Sequence, residues 1–166
     1  VFYKNIINMS KKINFLDKHI IESSVLTFGN FDGIHIGHDK LISTLIKKSK
    51  LVKSKSVLLT FNPHTREVIN PNDNIDSITS HEIKINILNS YKLDYIVTIN
   101  FDNQFKEISC DVFVDKLIEK YNPKIIIIGY DNKFGHRGMG DYRFLINYLK
   151  DKNIEIIKFP TLKVND

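Results

Sequence analysis

The sequence predicts an α/β protein built on a doubly wound, five-stranded parallel sheet with helices on both faces. From about residue 24 onward, short apolar runs alternate with segments whose apolar residues recur at helical spacing. One run, 124–128, is mostly β-branched, which is typical of a strand buried on both faces. No repeat, low-complexity tract or linker interrupts this pattern, so we expect a single domain over residues 1–166.

The first half of the chain predicts two strands and the helix between them. Residues 25–28 form the first strand, and residues 37–50 form a helix with apolar residues at every third or fourth position. Residues 57–61 form the second strand, which ends at an Asn-Pro pair. Residues 66–78 lack a periodic pattern, and we expect a surface loop there.

The next helix is predicted from a capping motif. Thr79 and Glu82 have the spacing of a capping box, in which two side chains satisfy free backbone N–H groups. Ile83, Ile87 and Leu88 then form the expected apolar face of this helix.

The remaining elements continue the alternation. Residues 95–99 form a third strand, and Ser109 can cap the helix that follows it. Pro123 introduces the fourth strand at 124–128. A last helix is expected over 141–152, and a fifth strand over 154–159.

The predicted strand order places two loops at one crevice. We assume the strand order 3-2-1-4-5, a Rossmann-like arrangement with right-handed crossovers, because hydrophobic periodicity does not fix strand order. In that order the first and fourth strands are neighbours, so the loops 29–38 and 129–135 face each other beyond the carboxyl ends of the strands. Residues 1–23 fit either a short strand or a short helix at the margin.

Composition narrows the classes of partner. The net charge is +5, but the lysines are scattered and arginines are few, so we expect no nucleic-acid partner. A single cysteine, Cys110, excludes an intrachain disulfide and suits a reducing, cytoplasmic setting. The apolar runs are too short for a membrane span, and we expect no membrane partner.

Residues 29–38 carry the strongest functional signal, with the sequence Gly-Asn-Phe-Asp-Gly-Ile-His-Ile-Gly-His. His35 and His38 lie where a strand turns into a helix. A helix N-terminus exposes backbone N–H groups and attracts anions, and glycines allow a ligand to approach closely. This pattern predicts a phosphate site. The alternatives are a purely structural helix start with two capping histidines, or a zinc site, which the distant lone cysteine disfavours.

Polar residues follow the other predicted strands as well. His64 comes after the second strand, Asp131 after the fourth, and Arg137 lies in a glycine-rich loop before a helix. Each could contact a ligand in the crevice. The alternatives are a surface histidine, a turn cap and a solvated loop, respectively. The chain has neither the Gly-x-Gly-x-x-Gly motif of dinucleotide-binding folds nor a P-loop motif.

Together these motifs resemble a known family. Gly-Asn-Phe-Asp-Gly-x-His-x-Gly-His, at 29–38, is similar to the signature of the FAD synthetase (FMN adenylyltransferase) module of bacterial bifunctional riboflavin kinase/FAD synthetases. That module belongs to the His-x-Gly-His nucleotidyltransferase superfamily. Segments 60–64, 79–84, 101–114 and 129–141 resemble further family motifs, so the resemblance covers nearly the whole chain.

The resemblance implies an enzyme that transfers AMP from ATP to FMN, giving FAD and pyrophosphate, with Mg²⁺ accompanying ATP and no metal ligand from the protein. It implies catalytic roles for His35, His38 and Asn30. The ATP-binding residues it implies are Gly29, Phe31, Asp32, Gly33, Gly37, Gly129, Asp131 and Arg137. The flavin-binding residues it implies are Phe61, Asn62, Pro63 and His64.

The chain departs from the family pattern at two positions and at its end. Thr65 stands where the family has proline, and Asn132 stands where it has phenylalanine. The chain stops at Asp166, before the family's Ser-Ser/Thr-x-Ile-Arg motif and its riboflavin kinase domain. We therefore expect a C-terminally incomplete module without kinase activity, joined to a riboflavin kinase domain in the full-length protein. The alternatives are a non-catalytic flavin- or nucleotide-binding module, or an adenylyltransferase for another phosphomonoester such as pantetheine phosphate.

Overall fold

The computed structural model describes residues 10–17, 20–72 and 78–160. Its six described strands form one parallel sheet in the order β1-β4-β3-β2-β5-β6. The strands are β1 (Lys11–Asn14), β2 (Ser24–Gly29), β3 (Lys55–Asn62), β4 (Tyr95–Asn100), β5 (Pro123–Gly129) and β6 (Glu155–Phe159). The helices are α1 (Ile36–Leu51), α2 (Thr65–Ile69), α3 (His81–Ser90), α4 (Cys110–Tyr121) and α5 (Tyr142–Tyr148), with 3₁₀ turns at Phe105–Glu107 and His136–Gly138.

The predicted strand order is confirmed, but the predicted number of strands is wrong. The five expected strands are β2 to β6, and their order in the sheet is the expected 3-2-1-4-5. A sixth strand, β1, pairs in parallel with β4 at one edge, with Lys11 opposite Tyr95. Only Ile13 among its four residues is apolar, so the sequence of β1 has no strand pattern. Pairing with an existing edge, rather than burial of an apolar face, makes this segment a strand.

Side chains alternate across the sheet into two hydrophobic cores. On one face α1 and α3 cover residues such as Val25 and Leu58. On the other face α4 and α5 cover residues such as Leu26 and Phe28. Helices therefore lie on both faces, as a doubly wound sheet requires. Across the residues that the structure describes, no helix is long and apolar enough to cross a membrane.

The predicted capping box at the start of α3 is wrong. Ser80 caps the helix instead, because its hydroxyl accepts the backbone N–H of Ile83 at 3.3 Å. The Thr79 hydroxyl lies 3.1 Å from a carboxylate oxygen of Asp32 and donates to it. The Thr79 side chain therefore makes a tertiary contact with Asp32 instead of the helix cap that its spacing predicted.

The predicted apolar face of α3 is also partly wrong. Ile83 and Ile87 are exposed (52% and 37%), whereas Lys84, Ile85 and Leu88 are buried. The helix is rotated from the expected orientation because the Lys84 ammonium donates hydrogen bonds to two backbone carbonyls beneath it.

Two further expectations need correction at their boundaries. The segment 66–78, expected to be a loop, contains most of α2, and its residues 73–77 lie outside the described residues. The last helix is shorter than 141–152, since α5 covers Tyr142–Tyr148 with Asp141 as its cap. Ser109 precedes α4 as expected, although its side chain makes no capping hydrogen bond.

Candidate active site

Three loops with polar side chains meet at the carboxyl edge of the sheet. Because β2 lies between β3 and β5, the loop 29–35 lies between the loops that follow those two strands. The charges of Asp131 and Asp32 both act on His38, and Asp32 also acts on His64. Asp32, in the loop after β2, and Asp131, in the loop after β5, are therefore close enough for their charges to act on His38.

His35 and His38 form a stacked pair at the start of α1. Their ring centroids lie 3.9 Å apart with planes inclined by 24°. His35 is the N-cap of α1, and its Nδ1 accepts the backbone N–H of Gly37 at 3.1 Å. This bond leaves the proton of the neutral ring on Nε2. A Cβ on Gly37 would lie 2.8 Å from Cε1 of His35, so the ring can fold over this position only because it is glycine.

His38 lies deeper and is uncharged near neutral pH. Its ring packs against the buried ring of Phe31, with centroids 5.1 Å apart. Burial, with a smaller contribution from the charge of His35, lowers the pKa of His38 to about 4, although the carboxylates of Asp131 and Asp32 oppose the shift. Its Nδ1 is buried and has no partner among the described residues. Without a ligand, His38 is therefore a neutral hydrogen-bonding group rather than a fixed positive charge.

The Asp32 carboxylate is bound to the segment before α3. One oxygen accepts the backbone N–H of Ile78 at 3.0 Å, and the other accepts the N–H of Thr79 at 3.0 Å. Burial raises the pKa of Asp32, but these hydrogen bonds outweigh it and hold the pKa below its usual value. Gly33, at φ +63°, donates its N–H to the Thr79 hydroxyl at 3.4 Å. Asp32, expected to contact ATP, acts in this structure as an anchor for the loop.

The polar groups of Asn30, like those of Asp32, form hydrogen bonds with other parts of the protein. Its side-chain amide forms two hydrogen bonds with Thr65, and its backbone carbonyl accepts from Thr60 Oγ1 and Lys84 Nζ, both at 3.0 Å. Gly29, which precedes it, ends β2.

Lys84 is a functional candidate that the sequence analysis missed. The residue is only 5% exposed, and Nζ donates to the carbonyls of Asn30 at 3.0 Å and Phe61 at 2.9 Å. Burial lowers the pKa of Lys84, while the charges of Asp32 and Glu67 oppose that shift. A lysine inside an apolar helix stripe, beside Ile85 and Leu88, was the signal that could have identified it.

A polar cavity of about 190 Å³ lies between Asp32 and the segments that begin α2 and α3. Its lining residues come from the loop after β2, the end of β3, α2, α3 and the segments just before these two helices: Asp32, Asn62, Pro63, His64, Glu67, Thr79, Ser80, His81 and Lys84. His64 caps α2 by accepting the N–H of Arg66 at 3.2 Å, and burial lowers the pKa of His64. His81, also missed by the sequence analysis, has a buried Nδ1 without a partner among the described residues.

Two expected ligand contacts are less favourably placed. The ring of Phe61 is 8% exposed and packs edge-on against Phe101, with centroids 5.6 Å apart, so it belongs to the core. Arg137 is exposed in a 3₁₀ turn at φ +54°, and within the described ranges no hydrogen bond or ion pair joins it to the crevice. Asp131 is exposed at the crevice, two residues after Gly129.

The FAD synthetase family model matches residues 17–166. The chain belongs to the FAD synthetase family.

This FAD synthetase family member is similar in sequence to longer bacterial proteins. The chain is 36% identical over 146 residues to the bifunctional riboflavin kinase/FMN adenylyltransferase of Buchnera aphidicola subsp. Schizaphis graminum, covering 87% of the chain and 47% of that protein. It is 29% identical over 130 residues to the protein of the same name from Bacillus subtilis, covering 78% of the chain and 41% of the relative. The chain thus spans just under half the length of these relatives.

A solved structure has a similar fold. The crystal structure described as a macrolide-efflux protein from Streptococcus pneumoniae superposes with a TM-score of 0.80 at 26% identity. The match covers 93% of this chain and 52% of that one. This similarity supports the α/β fold.

Both departures from the family pattern make hydrogen bonds to the end of β2. Thr65 binds the side chain of Asn30. Asn132 Nδ2 donates to the backbone carbonyl of Phe28 at 2.7 Å and so ties the loop after β5 to β2. Proline has neither the hydroxyl nor the backbone N–H that Thr65 uses, and phenylalanine lacks the side-chain amide that Asn132 uses.

Proposed function

We propose that this FAD synthetase family member transfers AMP from ATP to FMN. A phosphate oxygen of FMN attacks the α-phosphorus of ATP, the bond from that phosphorus to the bridging oxygen breaks, and pyrophosphate leaves. Phosphate is already a nucleophile, so catalysis consists mainly of positioning and of stabilising charge on phosphate oxygens. The observation that carries the proposal is the stacked pair of His35 and His38 at the N-terminus of α1. The loop before this pair contains Asp32, which lines a polar cavity.

The ATP phosphates would bind at the histidine pair and the N-terminus of α1. His35 presents an Nε2–H donor, and the exposed N–H groups of the first helical turn add further donors. A bound phosphate would raise the pKa of His38 from its low value, because a nearby negative charge favours the protonated ring. Gly29, Gly33 and Gly129 would allow the nucleotide to approach the backbone closely.

The flavin would bind on the side of the cavity after β3. Asn62, Pro63 and His64 line this cavity, together with Lys84. The cavity is smaller than a typical site for a ligand of that size, so only part of the flavin would be enclosed. The FMN phosphate would then point toward His35 and His38.

We also propose the metal ion, the cellular location and the partners of the enzyme. Mg²⁺ would enter with ATP, coordinated mainly by phosphate oxygens and water, as is usual for this ion. We propose a cytoplasmic enzyme with small-molecule substrates and with no nucleic-acid or membrane partner. The names of the relatives further support a covalent riboflavin kinase module in the natural protein.

The test is direct synthesis of FAD. The natural full-length protein is incubated with ATP, FMN and Mg²⁺, and FAD and pyrophosphate are measured by chromatography and a coupled assay. We expect His38→Ala to reduce kcat by about a hundredfold, the effect of losing one donor to the transition state. His136→Ala is the matched control, because His136 pairs with Glu107 at 2.9 Å outside the crevice. Folded protein that produces no FAD would overturn the proposal.

One observation favours a second candidate, a non-catalytic flavin- or nucleotide-binding module. Asn30 and Asp32, two polar side chains of the motif, are bound to other parts of the protein. Calorimetry with ATP and FMN distinguishes the two functions, since a binding module takes up the ligands without releasing pyrophosphate. Competition between FMN and pantetheine phosphate tests the other acceptor.

A further inference from the structure

We propose that the side chains of Asn30 and Thr65 form a clasp that sets the distance between the two substrate-binding regions, and that Asn30 is a positioning residue rather than a catalytic one. Asn30 belongs to the motif loop that leads to His35 and His38. Thr65 is the first residue of α2. The inference rests on the proposed function, because it concerns the relative placement of ATP and FMN.

The clasp consists of two reciprocal hydrogen bonds. Asn30 Nδ2 donates to Thr65 Oγ1 at 2.9 Å, and the backbone N–H of Thr65 donates to Asn30 Oδ1 at 3.2 Å. The first N–H groups of a helix have no partner within the helix, so the second bond satisfies a donor that would otherwise need water. Both polar ends of the Asn30 amide are therefore used inside the protein.

The backbone of Asn30 is held as firmly as its side chain. Its carbonyl accepts from Thr60 Oγ1 and Lys84 Nζ, both at 3.0 Å. Lys84 also donates to the carbonyl of Phe61 at 2.9 Å, so a single ammonium joins the ends of β2 and β3. The clasp therefore fixes the orientation of the Asn30 amide, and only the second N–H of Nδ2 stays available to a substrate.

The clasp connects the two sides of the crevice. Phe31, next to Asn30, supports the ring of His38 from below. Pro63 and His64, next to Thr65, line the polar cavity. Movement of α2 relative to the motif loop would therefore change the distance between the histidine pair and the cavity. In-line attack needs reacting atoms about 3–3.5 Å apart, and a displacement of about 1 Å can reduce the rate about a hundredfold.

A double-mutant cycle tests this assignment in the natural full-length protein. Asn30→Ala and Thr65→Val each remove the bond between Asn30 Nδ2 and Thr65 Oγ1, whereas Thr65→Ser retains it. We expect each of the first two variants to lower kcat by about tenfold, with KM for ATP and for FMN changed less than about threefold. The double variant should be no slower than the slower single variant, because both changes break the same contact. Thr65→Ser should be close to the wild type.

The controls are matched in chemistry. Thr44→Val removes a hydroxyl that bonds to its own helix at Lys40 O, and Asn103→Ala removes an exposed amide. Both should leave kcat unchanged.

The opposite outcomes would overturn the clasp. If Asn30 contacts substrate directly, Asn30→Ala slows the reaction equally in the presence and absence of Thr65→Val, and Thr65→Val alone has no effect. The same cycle is repeated on the urea unfolding midpoint, where we expect non-additive shifts and where additive shifts contradict the clasp. If the wild type makes no FAD, the proposed function fails, and this second cycle still decides whether the clasp exists.

Discussion

Replacing Lys84 with methionine tests the buried ammonium that joins the ends of β2 and β3. Methionine has a similar length and no hydrogen-bond donor, so Lys84→Met removes the bonds to the carbonyls of Asn30 and Phe61 with little change in volume. The ammonium is almost fully buried, so water does not readily replace it.

The expected loss of stability comes from the two carbonyls. The carbonyl of Asn30 retains its bond from Thr60 and should lose little. Among the hydrogen bonds described outside the strand ladders, only that from Lys84 reaches the carbonyl of Phe61, so Lys84→Met removes this donor. Leaving a buried acceptor short of a partner costs about 1–3 kcal/mol. Methionine avoids the cost of burying a charge, which offsets part of the loss. We expect a net decrease of about 1–2 kcal/mol in the free energy of unfolding at neutral pH.

The pH dependence gives a second signature. Burial lowers the pKa of Lys84 in the folded state below the value of 10.5 that it has when unfolded. Between these two pKa values the unfolded state binds more protons, so the contribution of Lys84 to stability increases as pH rises toward 10.5. The difference in stability between the wild type and Lys84→Met should therefore grow with rising pH.

The assay is urea unfolding followed by circular dichroism, at neutral pH and at about one unit below the pKa of free lysine. Lys150→Met is the control, because Lys150 is exposed. A Lys84→Met protein as stable as the wild type at both pH values, or a difference that shrinks as pH rises, would refute the role assigned to this ammonium.

Three further predictions concern stability. Between pH 7 and pH 4 the free energy of unfolding of the wild type should fall by about 2–3 kcal/mol relative to that of His38→Gln. The pKa of His38 is about 4 in the folded state and 6.5 in the unfolded state, so its contribution to stability is present above pH 6.5 and is lost as pH falls toward 4. Stability curves of the two proteins that stay parallel in acid titrations would contradict this. Asp32→Asn should lower the free energy of unfolding by about 1–2 kcal/mol, since its amide NH₂ cannot accept a backbone N–H, and an unchanged urea midpoint would argue against the anchor. Gly140→Ala should cost about 1–3 kcal/mol, because a Cβ would lie 2.5 Å from the buried ring of Phe134, whereas Gly129→Ala, with 3.8 Å to its nearest neighbour, should be tolerated in thermal unfolding.

Local patterns predicted the parts of the fold that local forces dominate. The strands β2 to β5 are apolar runs buried on both faces, and α1 has a continuous apolar stripe, so their positions follow from burial alone. The residues of edge strand β1 are mostly exposed. The strand pairs with β4, and Lys11 lies opposite Tyr95, which is 84 residues away in the chain. No local pattern carries that information.

The orientation of α3 shows why side-chain partners were harder to predict. Its sequence contains enough isoleucines for two different apolar faces, and Ile83 is exposed in the one that forms. The choice depends on Lys84, whose carbonyl partners come from β2 and β3. Thr79 likewise leaves its predicted capping role for Asp32.

By itself, the sequence determined the positions of the central strands and the family to which the chain belongs, and it predicted a phosphate site at the His-x-Gly-His turn. These depend on residues close together in the chain, where spacing and helix geometry are informative. Only the tertiary structure decided that Asn30 and Asp32 hold neighbouring segments, and that Lys84 lies buried among backbone carbonyls. The reason is physical: a polar side chain can bind solvent, a ligand or another part of the protein, and the groups that packing brings within about 3 Å decide among them.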